Sequence, residues 1–340
     1  MPPRVIEPTA TAVVPGVAQN AIEADSDIAS SDDGYESDRG GSLASTSLTA
    51  GVRDYVFENN RRYHRFREGH YLLPNDDIEQ EREDMKHAMV VHVCDGWLHF
   101  APLDNPQKIL DIGTGTGIWA IDMADEYPSA EVIGIDLSPI QPGWVPPNVR
   151  FLVDDAESDW GHGRGKFDYV HARHMCMAIK DWPKLLQQAY DALKPGGWIE
   201  LQELRFVVSC DDGTMPPNYG FSQWLRYLID GLSRFGVDLL GMEKNGQKLL
   251  DAGFVNVEEK VWKIPIGTWA KQQKMKTIGA YNRAVISDAL AGVSMAPFTR
   301  GLGWRAEEVE VFAAKVRNSL SNSRIHSYYT FHAVYGQKPK

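Results

Sequence analysis

Residues 108–119 read KILDIGTGTGIW: a largely apolar run, an acid at Asp111, and glycines at Gly113, Gly115 and Gly117. The apolar run fits a buried strand and the IWAIDMAD that follows fits a helix, so the glycines fall in a strand-to-helix turn. Such a turn lets a ligand approach the backbone closely, and open α/β sheets bind ligands at the carboxyl ends of their strands.

The alternation continues downstream. Strands are expected at 108–113, 131–137, 149–155, 167–173 and 198–204. Helices fit at 118–127 and 181–194; in the second, Trp182, Leu185, Leu186, Ala189, Tyr190 and Leu193 form one apolar face that ends at KPGG. Strands that alternate with helices pair in parallel through right-handed crossovers, which predicts a doubly wound α/β sheet. Two later strands, 254–266 and 326–336, are separated by about sixty residues with helical patterns at 270–291 and 305–320, read as a helical cap inserted at about 268–325.

Upstream, residues 51–107 are aromatic and charged and read as an amino-terminal helical lid, with helices at 52–66 and 77–99. Between them GHYLLPND reads as a loop in which Pro74 and Asn75 break the first pattern and Asp76 or Asp77 caps the next. Residues 1–50 hold eight acids, two bases and one aromatic, Tyr35, and so carry −6 of the chain's net −11. Such a composition buries too little surface to offset ordering entropy, and the segment is expected to be a disordered acidic tail, available as a contact for a protein partner.

Composition excludes several classes. With 340 residues and 43% hydrophobic content the chain can build a sizeable core. No run of 18 apolar residues occurs, and MPPRVIEPTA lacks the basic start and apolar stretch of a secretory signal, so a soluble intracellular protein without a membrane partner is expected. Cys94, Cys176 and Cys210 lack disulfide or zinc spacing, and no magnesium-type cluster of His, Asp and Glu occurs, so no metal is expected. The acidic balance disfavours a nucleic-acid partner.

What the turn holds follows from its neighbours. A dinucleotide fingerprint wants G-x-G-x-x-G, and Asp111 would repel a pyrophosphate while suiting a positively charged ligand, such as the amino group of a methionine-type sulfonium compound. Asp136 ends the second strand, where a carboxylate can accept from both hydroxyls of a ribose; this fits NAD as well as S-adenosylmethionine. Asp154, Asp155 and Ala156 end the third strand, where an acid and a backbone N–H can meet an adenine edge.

Taken together, LDIGTGTGIWA, GIDLS, VDDAE, FDYVHAR and LKPGGWIELQE resemble the class I S-adenosylmethionine-dependent methyltransferases. More narrowly, SPIQPGWVPPNVRF, HARHM, IKDWPKLL, YVFENNRRYH and GHYLLPNDDIEQER resemble the fungal LaeA-like methyltransferases, over about residues 52–340. The resemblance implies a Rossmann-like, seven-stranded, mostly parallel sheet whose seventh strand runs antiparallel between the fifth and sixth. It implies S-adenosyl-L-methionine as cofactor, with Asp111, Gly113, Thr114, Gly115 and Gly117 around its methionine part, Asp136 and Leu137 at the ribose, and Asp155 with Ala156 at the adenine. Tyr63, His64 and Tyr71 would belong to a lid over the cofactor or simply pack on the sheet.

Methyl transfer from a sulfonium needs mainly alignment of donor and acceptor. Where the acceptor must lose a proton, the candidate bases are His171 and His174 at the end of the fourth strand, and then Glu203 after the fifth, although GWIELQE also fits an acid pointed at solvent. HARH replaces the Asn/Asp-Pro-Pro-aromatic motif of amide and base methylation. Tyr219, Phe221, Trp224, Tyr227, Trp269, Tyr281, Phe298 and Trp304 suit an apolar small-molecule acceptor, or the core of the cap. The resemblance points to tailoring of a fungal secondary metabolite in the cytoplasm or, as for the family's namesake, to regulation from the nucleus.

Overall fold

The computed structural model describes residues 16, 21–25, 55–58, 61–64, 66, 67 and 72–340. In chain order a hairpin, β1 (Tyr55–Glu58) and β2 (Arg61–His64), precedes helix α1 (Asp77–Val93). Then come β3 (Lys108–Ile112), α2 (Ile118–Glu126), β4 (Glu131–Asp136), β5 (Val149–Val153), β6 (Phe167–Arg173), α3 (Trp182–Ala192) and β7 (Leu193–Leu204). The carboxyl-terminal part holds α4 (Gly220–Ser233), α5 (Asn245–Asp251), β8 (Val255–Pro265), α6 (Gln273–Ala296), α7 (Ala306–Leu320) and β9 (Tyr328–Gln337).

Seven strands form one sheet in the order β5-β4-β3-β6-β7-β9-β8. The first five pair in parallel and β9 runs antiparallel to both of its neighbours, as the resemblance implied. Ile109, Leu110 and Ile112 of β3 are fully buried because helices cover both faces of a parallel sheet. From β3 the chain winds outward to β4 and β5, then returns to β6 and β7 on the other side. The crevice of this reversal opens at the carboxyl end of β3, where the glycine turn lies.

α4, α6 and α7 build a second apolar body with Phe221, Trp224, Leu228, Leu290, Phe298 and Val316, and α1 packs along α6. α4 has no counterpart in the sequence reading, where Tyr219, Phe221, Trp224 and Tyr227 counted only as aromatic content. Of the eight aromatics assigned to the acceptor, Phe221 and Trp224 face the cavity described below. Tyr227, Phe298 and Trp304 pack on one another, Trp269 stacks on His326, and Tyr281 is exposed.

Three further expectations change. The helix expected at 52–66 is the hairpin instead: the strands are separated in sequence by the turn-favouring pair Asn59 and Asn60, and the Arg62 guanidinium lies 4.5 Å over the Tyr55 ring across it. The helix expected to reach Lys194 stops at Ala192, because Pro195 biases Lys194 toward extended backbone, and LKPGG opens β7. Residues 21–25, inside the tail expected to be disordered, lie on the fold: Ala24 bridges Ala270, and Ile22 and Ala24 pack by Trp269 and Tyr328. Glu23 pairs with Lys271 and Asp25 with Lys276, so the acids there have partners. The rest of that tail, apart from Gly16, lies outside the described residues. No helix among those described is long and apolar enough to cross a membrane.

Candidate active site

Below the turn, Asp111 is buried and accepts two hydrogen bonds, from His171 Nδ1 at 2.8 Å and from Thr114 Oγ1 at 2.6 Å. His171 is itself wholly buried and stacks on Trp119 with ring centroids 3.6 Å apart. Trp119 donates its indole N–H to Leu98 O at 3.0 Å and is buried, so it belongs to the core. This stack fixes Asp111 from beneath. Neither Asp111, His171, Thr114 nor Gly117 lines the cavity above the turn, whereas Gly113, Gly115 and Thr116 do. His171, a sequence candidate for the base, therefore positions the loop and faces no acceptor.

Two glycines combine a left-handed backbone with a close neighbour. A Cβ on Gly113, at φ +67°, would come 2.1 Å from Met175 Sδ; one on Gly117, at φ +85°, would come 2.3 Å from the Phe151 ring. At Gly115 a Cβ would meet nothing within 4 Å, which leaves an open cradle above the backbone.

Asp136 lines the same cavity and fastens the turn to β4. It accepts from Gly115 N at 2.9 Å and from Ser138 N at 2.8 Å. Burial pushes its carboxyl up, and those two N–H groups and nearby His64 pull it back. Gln141, which no motif marked, donates to Gly115 O at 2.6 Å and to Ser138 O at 2.9 Å. Leu137, Asp155 and Ala156 also line the cavity. Asp155 is shaped by a tight turn, accepting from Glu157 N and Ser158 Oγ, both at 2.9 Å, with the Arg67 guanidinium 3.4 Å away.

α1 closes this end. Thr116 Oγ1 donates to Asp84 at 2.6 Å and Asn75 Nδ2 to Ser138 Oγ at 3.2 Å. His64 is buried and bonded through Nδ1 to Phe66 O at 2.5 Å, while Tyr63 is half-buried; neither lines the cavity. Tyr71 lies outside the described residues.

Past β6 the cavity, about 220 Å³ in all, changes character. His174 holds a left-handed backbone, φ 59° and ψ 34°, an uncommon and strained state for a residue with a Cβ. Its ring lies in the wall with no hydrogen-bond partner among the described residues, and burial, then Lys86, Arg173 and Arg82, push its pKa well below the usual value. The imidazole is therefore neutral. Glu203, which the sequence allowed to face solvent, is buried, because β7 is a central strand covered on both sides. It accepts from Met175 N at 2.7 Å and Cys176 N at 3.0 Å, and burial raises its pKa to about 7. It thus pins the turn that carries His174. The far wall is apolar: Phe221, Trp224 and Leu225 from α4, Val285, Ile286 and Ala289 from α6, and Tyr329 from β9.

A family model described as a methyltransferase domain matches residues 83–226. The methyltransferase pytC of Aspergillus terreus is 41% identical over 296 residues, covering 86% of this chain and 91% of its own length. The secondary metabolism regulator laeA of Aspergillus flavus is 34% identical over 86% of this chain and 80% of its own. The protein-methionine methyltransferase laeA of Emericella nidulans is 33% identical over 83% and 76%. Among solved structures, the phosphoethanolamine N-methyltransferase 2 of Haemonchus contortus in complex with S-adenosyl-L-methionine aligns at 20% identity and TM-score 0.43 over 76% of this chain, which spans about half (53%) of that one. With relatives 33–41% identical over more than four fifths of its length, the chain belongs to the LaeA-like family of S-adenosylmethionine-dependent methyltransferases.

Proposed function

We propose that the protein methylates a small, largely apolar organic acceptor, as a tailoring step of fungal secondary metabolism. The observation that carries this reading is the continuity of one cavity from the glycine cradle at Gly113 and Gly115 to an apolar chamber walled by α4 and α6. A walled chamber suits an acceptor that can be enclosed rather than a segment of a folded protein.

In this reading Gly113 and Gly115 offer backbone to the methionine part of the cofactor, Asp136 with Leu137 takes the ribose, and Asp155 with Ala156 takes the adenine. Asp111 acts one layer down, through Thr114 and the loop. S-adenosylmethionine supplies a methyl group already activated on a sulfonium. The protein's own work is to hold and align the acceptor and keep water out, and alignment of this kind is worth about 7–11 kcal/mol. His174 is in the wall of the cavity and neutral, so it can accept a hydrogen bond from the acceptor, while burial and the cations beside it keep it a weak base.

A second reading draws on the relatives named as secondary metabolism regulators and as a protein-methionine methyltransferase: a nuclear regulator acting through protein complexes or protein methylation. Incubation of the purified protein with methyl-labelled S-adenosylmethionine and a fungal extract, split into small-molecule and protein fractions, separates the two. Label in the small-molecule fraction is the expected result; label confined to protein, or none beyond bound cofactor, overturns the first reading.

A further inference from the structure

The wall between cradle and chamber holds a charge without a counter-charge. Arg173 ends β6 and lines the cavity, and its one hydrogen bond among the described residues goes to a neutral acceptor, His87 Nδ1, at 2.8 Å. His87 is held in the neutral form by burial and by the Arg173 charge, which together outweigh the upward pull of Asp122, to which its other nitrogen donates at 2.8 Å.

Each acid near the guanidinium is taken elsewhere. Asp111 is held by His171 and Thr114, Glu83 pairs with Arg82 and Lys86, and Asp122 binds His87. No carboxylate among the described residues lies within ion-pair distance of Arg173, and burial pulls its pKa down, the mark of a cation whose desolvation is not repaid locally. The neighbouring His174 registers the same field: Lys86, Arg173 and Arg82 all push its ring toward the neutral form. An uncompensated guanidinium at the edge of an apolar chamber is matched by an oxyanion that can take two of its N–H groups at once.

We propose that the acceptor is an organic acid: an aromatic-sized apolar body seated against Phe221, Trp224, Ile286 and Tyr329, with one oxyanion of the carboxylate or acidic-hydroxyl type bound by Arg173. This deepens the small-molecule reading above and rests on it. Arg173 selects the acceptor and is distinct from the groups that hold the cofactor. A neutral analogue of the same shape leaves the guanidinium unpaired, so the site discriminates by charge as well as by fit.

The test uses the protein saturated with S-adenosylhomocysteine and two probes of one shape, 2-naphthoate and 2-naphthamide, titrated calorimetrically. The wild type binds the acid at least about tenfold more tightly than the amide, the worth of one charge-assisted hydrogen bond. Arg173→Gln removes that preference, Arg173→Lys keeps part of it, and both variants retain the wild-type melting temperature and affinity for S-adenosylhomocysteine. Equal binding of acid and amide by the wild type, binding of neither, or an Arg173→Gln variant that still prefers the acid overturns the proposal. So does an about tenfold loss of S-adenosylhomocysteine affinity in Arg173→Gln, which would place the cofactor's own carboxylate at Arg173. A wild type that fails to bind S-adenosylhomocysteine strikes the methyltransferase reading itself, and shows this before any probe is added.

Discussion

Glu203 shows how one buried carboxyl can link the stability of the site to pH. It accepts two backbone N–H groups, which favour the carboxylate, yet burial is the larger effect and holds its pKa at about 7, above the ordinary 4.5. The folded chain therefore binds this proton more readily than the unfolded chain. Its contribution to stability is fully present below about pH 4.5 and is lost as pH rises through about 7. Glu203→Gln keeps an acceptor for both N–H groups and removes the titration. Urea unfolding should show the variant losing less stability than the wild type between about pH 5 and about pH 8; parallel losses would contradict the assignment. The sequence marked Asp111, Asp136 and Asp155 because each ends an apolar run, a position at the mouth of any doubly wound sheet. It could not mark Glu203 in the same way. Which face a strand residue presents depends on what covers it, and β7 is covered on both sides.

At the level of elements, the junction of the hairpin and α1 rests on Asp76. Its side chain caps α1 by accepting from Glu79 N at 3.1 Å and takes the Arg61 guanidinium with contacts of 2.5 and 2.9 Å. Asp76→Ala loses both and should cost about 1–3 kcal/mol, while Asp76→Asn keeps a cap but loses the charge and one of the two oxygens that accept from Arg61. Chemical denaturation should rank wild type above Asn above Ala; an Asn variant as unstable as Ala would show that the cap contributes nothing. The sequence narrowed this cap to Asp76 or Asp77, since both follow a Pro-Asn break, and the structure assigns it to Asp76. The hairpin before it was hidden: YVFE and RRYH are each four residues, too short to separate a period of two from one of 3.6. Residues 21–25 were hidden for another reason. Their anchoring comes from Trp269, Lys271 and Lys276, far away in the chain, and a tail's own composition says nothing of such partners.

On the scale of the molecule, the sheet was legible because alternating apolar strands and helices admit few topologies, whereas the cavity was not. Its walls come from α1, the β3–α2 turn, β6, α4, α6 and β9, so that Lys86, Arg173, Trp224 and Tyr329 meet only when the cap closes on the sheet. The sheet presents the cradle and its acids, the helices present the apolar wall, and the two cores join where His174 and Arg173 stand. The central claim is that the glycine turn with Asp136 is the cofactor site. Calorimetric titration of S-adenosylhomocysteine into the wild type, Asp136→Ala and Gly113→Ala tests it most directly. The account predicts binding by the wild type and at least about tenfold weaker binding by both folded variants, through a lost ribose partner and a crowded cradle respectively. Unchanged affinity in both variants, or a wild type that binds NAD and not S-adenosylhomocysteine, would contradict it.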